Sequence, residues 1–324
     1  MKKADKCTVD LDFNQSLAPK ESRWSRSWLI FRQNRMAMAG LIIFVMFFIT
    51  ALSGLFLTSG ISPVFDPSLI RLQEKLRPPL SRPNAATLSY NEFPTLGIYL
   101  FGTDDLGRDI FSRMLEGAWV SLTVGFVAVG LSVIIGIFMG GIAGYYGQNN
   151  AKLDTLIMRF VDIMLCFPSF FLILTVVALL PASMYNIMIV IGLTSWMGTT
   201  RLVRAEFLSL REQDFVTAAR ALGIGNLRII FRHMMPNAIA PVLVSATIGI
   251  ASAIMTEAGL SFLGFGVPPP HATWGNILSD GKNYIFDAPW ITFIPGTAIL
   301  IVVLSFNLFG EGLRDILNPK LRGR

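Results

Sequence analysis

Residues 118–151 read AWVSLTVGFVAVGLSVIIGIFMGGIAGYYGQNNA and contain no Asp, Glu, Lys or Arg. A helix needs about 20 predominantly apolar residues to cross the hydrocarbon core of a bilayer, so this run predicts a membrane-spanning helix. Four further runs also lack charge: residues 36–58, 163–200, 237–256 and 288–310. The run 163–200 is too long for one crossing. We therefore predict an all-α integral membrane protein with about six transmembrane helices.

The composition of the 324-residue chain agrees with this prediction. Only 15% of the residues are charged, whereas a soluble domain has about 25%. The net charge of +6 could indicate nucleic-acid binding. However, the positive charges lie between the apolar runs, where a membrane protein has its cytoplasmic loops. We expect contacts with a lipid bilayer and none with nucleic acid.

The apolar runs also divide the chain. We predict a cytoplasmic segment 1–35, a first transmembrane helix 36–58, an extracytoplasmic loop 59–117, a transmembrane core 118–312 and a cytoplasmic tail 313–324. The five core helices are expected at 118–144, 155–180, 184–200, 238–262 and 290–310, and Pro168 should kink the second of them. Lys and Arg concentrate in the N-terminal segment, after residue 200 and in the tail. This distribution predicts that both termini are cytoplasmic.

The cytoplasmic segment 201–237 has a helical pattern that an ordinary loop lacks. We predict a short helix with Asp214 as its N-cap and Gly223 as its stop. The apolar residues between them recur at i, i+3, i+4 and i+7 and form one face: Phe215, Ala218, Ala219 and Leu222. The pattern leaves open whether this face inserts into a groove on a partner or packs on the chain's own helices.

This segment resembles the EAA loop of the permease subunits of ABC importers. The resemblance rests on Ala218-Ala219, Gly223 after three further residues, and Pro236 thirteen residues later. Thr217 departs from the pattern, because Glu is common there. In that family the short helix couples the membrane subunit to an ATPase. The resemblance implies this coupling role for seven residues: Asp214, Phe215, Ala218, Ala219, Leu222, Gly223 and Pro236.

Four further motifs resemble the OppC/DppC branch of these permeases, which serves oligopeptides, dipeptides and nickel. They are FRQNRMAMAG (31–40), GTDDLGRDIFSR (102–113), EAGLSFLGFGVPPP (257–270) and FNLFGEGLRD (306–315). The resemblance extends from Arg23 to the C-terminus, apart from residues 79–100. It implies a type I ABC importer permease in a bacterial cytoplasmic (inner) membrane that transports di- or oligopeptides. Nickel or another small solute is the alternative cargo.

The resemblance also implies the partners. These are a second, homologous permease, two ABC ATPase subunits and an extracytoplasmic solute-binding protein. The chain lacks the Gly-x-x-x-x-Gly-Lys-Ser/Thr phosphate loop. We therefore expect no catalytic residue, cofactor or metal on this chain, and we place ATP and Mg²⁺ on the separate ATPases.

Two other classes of membrane protein are less compatible with the sequence. An ion-coupled secondary transporter should have midplane ionisable residues and inverted repeats. A membrane enzyme needs a convergent set of catalytic groups. Neither pattern is clear here.

The motif 102–113 supplies candidate gate residues on the predicted outer side. The spacing of its charges predicts two ion pairs, Asp105 with Arg108 and Asp109 with Arg113. Such pairs would form a cap on the gate. The alternative is that these charges contact the solute-binding protein.

Three ionisable residues lie within or beside the predicted spans. Arg159 and Asp162 are three residues apart near the inner end of a helix, so we expect them to pair with each other. Glu257 lies near the outer end of another helix and has no obvious local partner. It either lines a gate or bonds to a neighbouring helix.

Overall fold

The computed structural model describes residues 28–29, 31–60, 63–85, 88–89, 92–147 and 151–317. The predicted cytoplasmic segment 1–35 and tail 313–324 therefore lie mostly outside the described residues.

The described residues fold into helices joined by irregular loops. The helices are α1 Arg35–Thr58, α2 Ile110–Tyr146, α3 Ala151–Leu165, α4 Ser169–Leu179, α5 Met184–Leu210, α6 Asp214–Ala221, α7 Asn226–Phe262, α8 Trp274–Gly281 and α9 Trp290–Leu317. Within this part of the chain, β-structure is limited to two isolated bridges, Ser81 with Tyr99 and Thr103 with Asp109. The predicted all-α class is confirmed.

Most of the long helices are apolar enough to cross a membrane. By length and composition α1, α2, α7 and α9 each qualify, and the bent pair α3–α4 can form a fifth span. Helix α5 has 27 residues, which is long enough to cross, but Arg201 and Arg204 make its inner half polar. Composition therefore supports four or five spans, compared with the predicted count of about six. Helix α5 is a further helix that is long enough to span but is less apolar.

Several helices extend beyond their predicted ends. Helix α2 begins at Ile110 rather than 118, because the Asp109 carboxylate caps it and accepts hydrogen bonds from the backbone N–H groups of Phe111 and Ser112 (3.4 and 3.2 Å). Helices α5 and α9 likewise continue past 200 and 310. Uncharged runs mark only the part of a helix that lies in hydrocarbon, so the charged turns at the membrane surface were missed.

The predicted helix 155–180 is two helices. Helix α3 ends at Leu165, α4 begins at Ser169, and their axes differ by 82°. Pro168 lies at the break, and its missing N–H removes a helical hydrogen bond. The predicted kink is therefore a complete interruption.

Glycines on α2 set the distance between α2 and α5. A Cβ on Gly140 would lie 2.5 Å from the carbonyl oxygen of Thr200, and one on Gly144 would lie 2.6 Å from the Cβ of Phe207. Such contacts let helix backbones approach closely in lipid, where small residues favour association. This packing holds the centre of the bundle together.

Helices α1 and α9 run antiparallel on one edge of the bundle. Asn34 caps α1 by accepting a bond from the N–H of Ala37, and its Nδ2 donates to Asp315 Oδ2 near the end of α9 (3.2 Å). The start of α1 and the end of α9 therefore lie on the same side. That this side is cytoplasmic remains a prediction, and the names inner and outer follow that predicted topology.

Candidate functional site

The first candidate site is the coupling segment, defined as residues 213–236. One face of its short helix α6 is fixed to the rest of the protein. Val216 and Ala219 are 0% and 4% exposed and pack in a cluster that includes Phe207, Ile229 and Met234. Burial of these apolar side chains holds α6 against the inner ends of α5 and α7.

The N-terminus of α6 differs from the prediction by one residue. Gln213 is the N-cap, and its side chain makes no capping hydrogen bond. The carbonyl of Gln213 accepts bonds from the N–H groups of Val216 and Thr217. Asp214 is instead the first helical residue, where a carboxylate is favoured by the helix dipole.

The C-terminus of α6 lies where the sequence placed it. Gly223 has φ +73°, a conformation that costs an L-residue about 1–2 kcal/mol. Its N–H bonds to the carbonyl of Arg220, and the N–H of Ile224 bonds to that of Ala219 (2.9 and 3.1 Å). These two bonds form a Schellman motif that ends the helix and redirects the chain.

The predicted apolar face is split between two sides of α6. Phe215 and Leu222 are 41% and 80% exposed, and Ala218 is also exposed. Ala219 lies on the opposite, buried side, so the four predicted residues do not share one face. The periodicity argument left out Val216, which together with Ala219 defines the inner face. The buried side packs on the chain's own helices, and the exposed side remains available to a partner.

Polar contacts attach the coupling segment to the inner end of α2. The hydroxyl of Tyr145 donates to Asn226 Oδ1 (2.8 Å), and the guanidinium of Arg220 lies 5.3 Å from the centre of the Tyr145 ring. Arg211 also donates to the carbonyl of Gly144 (3.4 Å). A displacement of α6 is thus opposed by bonds to α2 as well as by apolar packing.

The coupling segment continues without a break into α7. Residues Ile229–Met234 form a π-helical turn, in which the N–H of Met235 bonds to the carbonyl of Ile230. Pro236, which has no N–H, follows in the first turn of regular α-helix. The predicted start of this helix at 238 was wrong, because the helical chain already begins at Asn226. Wide turns of this kind often mark functional sites.

The second candidate site is the outer cap, defined as Asp104, Arg108, Arg113 and Asp280. Asp104 is fully buried and accepts bonds from Arg108 Nε (2.7 Å) and Arg113 Nη1 (2.6 Å). Both arginines also reach Asp280 Oδ2, at 3.1 and 2.9 Å. Asp280 lies at the end of α8, so the cap joins α8 to the start of α2.

The two predicted ion pairs of the outer side are therefore wrong. Arg108 and Arg113 both pair with Asp104, which the helical spacing argument passed over. Asp105 is half-buried beside this cap, and burial together with the negative charges of Asp104 and Asp280 raises its pKa. Asp109 caps α2, and burial raises its pKa although Ser112 donates to the carboxylate.

The predicted inner pair is also wrong. Asp162 of α3 accepts a bond from Arg201 of α5 (2.5 Å), and Arg159 is exposed and outside this pair. A second link was missed: Arg204 donates from Nε and Nη2 to the two oxygens of Asp154, each at 2.6 Å. These partners are 39 and 50 residues apart, so local spacing carried no signal for them.

Glu257 is completely buried where α7 meets the start of α8. Ser261 donates to its Oε1 (2.7 Å). The Thr273 hydroxyl lies beside the carboxyl group but does not complete a bond to Oε2, which has no partner within the described part of the chain. Glu257 thus has a local partner one helical turn away, which the sequence analysis overlooked, and it lies at a helix contact rather than on an open surface.

A further outer contact involves Glu116, which the sequence analysis did not single out. Its carboxylate bonds to His271 Nδ1 and to the N–H of Ala272, both at 3.0 Å. The neighbouring Trp274 donates from its indole to the carbonyl of Met114 (3.2 Å). The loop after α7 is thereby fastened to α2.

Two protein families match the chain. Residues 132–323 match the binding-protein-dependent transport system inner membrane component family. Residues 22–79 match the N-terminal transmembrane domain of oligopeptide transport permease C.

Curated relatives match along nearly the whole chain. The dipeptide transport system permease protein DppC of Alkalihalophilus pseudofirmus is 42% identical over 93% of this chain and 91% of that protein. The oligopeptide transport system permease protein OppC of Bacillus subtilis is 38% identical, with the same two coverages of 93% and 91%.

One solved structure has the same core fold. The inward-facing MetNI methionine ABC transporter superposes with a TM-score of 0.52 at 19% identity, covering 64% of this chain and 97% of that chain. At this level of identity the likeness concerns the fold.

Proposed function

The chain belongs to the binding-protein-dependent transport system inner membrane component family, and from this premise we propose that it forms half of the translocation pathway of an ATP-driven importer of di- or oligopeptides. The names of its full-length relatives support the peptide cargo. As a permease subunit it provides the route through the inner membrane. The hydrolysis of ATP with Mg²⁺ is assigned to separate ATPase subunits.

The observation that carries this proposal is the division of α6 into two faces. Val216 and Ala219 fix the helix to the protein, while Phe215 and Leu222 remain exposed. A short helix with a free apolar face suits a hydrophobic groove on a partner. We assign this partner as an ATPase subunit.

The contacts of α6 provide a route for coupling. When ATP closes the ATPase dimer, α6 moves with the subunit it contacts. Its buried face and the turn at Gly223 transmit the movement to the π-helical turn and then to α7. In this role Gly223 sets the angle between the short helix and the membrane helix.

The break between α3 and α4 indicates which face of the helix bundle lines the translocation pathway. Non-helical backbone at membrane depth is tolerated only where it is buried in protein or lines a water-filled cavity. Cys166, Phe167 and Pro168, at the break between α3 and α4, are all exposed. We therefore place the pathway along the face formed by α4, α5 and α7, with a second permease supplying the other half.

On the outer side we propose that the outer cap and Glu257 hold the gate, with Asp105 and Asp109 at its edge. The solute-binding protein would deliver peptide to this surface. The exposed Phe286, in the loop between α8 and α9, is 96% accessible and is available for that contact.

Co-purification from native membranes tests the proposed function. The chain is tagged at its C-terminus, extracted in mild detergent and analysed by mass spectrometry. We expect a second permease and two ATP-binding subunits. Recovery of this chain alone, under conditions in which a known ABC complex survives, would overturn the proposal in favour of a secondary transporter.

A matched pair of variants sharpens this experiment. Leu222→Asp places a charge on the exposed face of α6, and we expect it to lose the ATPases while the second permease is retained. Leu80→Asp is the control, because Leu80 is similarly exposed (67%) but lies in the outer loop.

A further inference from the structure

A cleft of about 270 Å³ lies between the middle turns of α2, α5 and α7 and the first turns of α4. Its wall contains hydroxyl side chains that have no hydrogen-bond partner among the described residues: Ser132, Ser169, Thr199, Ser245 and Ser252. The cleft is far larger than the roughly 30 Å³ that one water molecule occupies in the liquid.

These hydroxyls differ from most helix hydroxyls in the protein. Thr175 and Thr297, for example, donate to the carbonyls of residues 171 and 293 one turn earlier, at 2.8 and 2.7 Å. Such local bonds are the usual solution for Ser and Thr in helices. A Ser or Thr hydroxyl that makes no such local bond can donate to and accept from a ligand.

Two of the unpaired hydroxyl residues are more than nine-tenths buried. Ser132 and Thr199 are 4% and 7% exposed. A Cβ on Gly136 would lie 2.6 Å from Cγ2 of Thr199, so the methyl group faces α2 and the hydroxyl is turned away from that contact. The cleft therefore offers unpaired hydroxyls to a polar occupant.

We propose that this cleft is a binding station for the main chain of the transported peptide. The hydroxyls of Ser132, Thr199 and Ser252 bond to its amide and carbonyl groups as it passes. This inference rests on the proposed function and adds a site and a mode of recognition to it.

The chemistry of the wall favours peptide groups over ions. Among the described residues that line the cleft there is no Asp, Glu, Lys, Arg, His or Cys. Mg²⁺ and Ca²⁺ prefer carboxylate oxygens, and nickel prefers imidazole or other N and S ligands. Neutral hydroxyls can both donate and accept, as main-chain recognition requires. They bond to groups that every peptide carries, so the station does not depend on the peptide's side chains.

The test uses the complete importer in proteoliposomes, with a radiolabelled dipeptide and the loaded binding protein. Uptake and ATP hydrolysis are measured together for wild type, Thr199→Val, Thr199→Ser and the control Thr297→Val. Valine keeps the shape of threonine and removes the hydroxyl. In the control the lost hydroxyl bonds to its own helix and lies outside the cleft.

We expect Thr199→Val to lower peptide uptake per ATP hydrolysed by about three- to tenfold, the range that one neutral hydrogen bond supplies. Thr199→Ser should restore uptake, and Thr297→Val should resemble wild type. Equal uptake per ATP in both valine variants would contradict peptide binding in this cleft while leaving the proposed function intact. Absence of peptide uptake by the wild-type importer would overturn the proposed function and the station with it.

Discussion

The outer cap and the coupling segment differ in how their side chains are satisfied. In the outer cap every carboxylate and guanidinium has a partner within the chain, and Asp104 is fully buried. The coupling segment leaves its largest apolar side chains in solvent, with Leu222 80% exposed. The charges of the outer cap are therefore all paired within this subunit, whereas the coupling segment leaves an apolar face uncovered.

The largest expected effect comes from breaking the outer cap. Asp104→Ala leaves Arg108 and Arg113 without their shared buried partner, and breaking a buried pair typically lowers stability by about 3–5 kcal/mol. We expect a clear loss of thermal stability of the purified subunit in detergent. Asp280→Ala is the control, because its side chain is 34% exposed and water replaces the lost bonds. Equal losses of thermal stability in the two variants would contradict the claim that Asp104 is the main partner of the two arginines.

Close helix packing should support the inner side. Gly144→Ala brings a Cβ to 2.6 Å from that of Phe207, beneath the coupling segment. Overpacking of this kind costs about 1–3 kcal/mol. Gly130→Ala, on the same helix, has no atom within 4 Å of the new Cβ and should be neutral. Thermal unfolding of both variants checks this prediction, and a destabilised Gly130→Ala would count against it.

The turn at Gly223 should affect function more than stability. No atom lies within 4 Å of a Cβ at this position, so Gly223→Val acts through backbone strain of about 1–2 kcal/mol. We expect a clear loss of peptide uptake with a fall in unfolding temperature of only a few degrees. Gly223→Asn should retain more uptake, because Asn tolerates a positive φ. Wild-type uptake by the valine variant would remove Gly223 from the coupling route.

The smallest expected effect is a pH dependence at the edge of the outer cap. The pKa of Asp105 is raised by burial and by like charges, so the folded state favours its protonated form. This contribution to stability is present at pH below the ordinary Asp pKa and is lost as pH rises through the raised value. Asp105→Asn should therefore be slightly more stable than wild type at pH 7, by less than about 1 kcal/mol, and the difference should shrink toward pH 4. An Asp105→Asn variant that is less stable than wild type at pH 7 would contradict the claim that the folded state disfavours ionised Asp105.

The sequence predicted the fold class and the stop of α6 because both depend on local features. Apolar runs mark spans, and Gly223 marks a positive φ. It did not predict the bonds to Asp280, which lies 172 residues from Arg108, and it passed over Asp104, which lies only four residues before Arg108. It also grouped Ala219 with Phe215 and Leu222 on one face, because an apolar stripe does not reveal which part of it the rest of the protein covers.

The most direct test of this difference between the two sides measures whether the exposed face of α6 is covered in the assembled importer. Leu222→Cys is made in a chain whose native cysteines, Cys7 and Cys166, are replaced by Ser. Labelling by a maleimide is then compared in membranes with and without the ATPase subunits, and Phe286→Cys on the outer side serves as the control. We predict strong protection of position 222 by the ATPases and none at position 286. Equal labelling of position 222 in both membranes would contradict the claim that an ATPase subunit docks on α6.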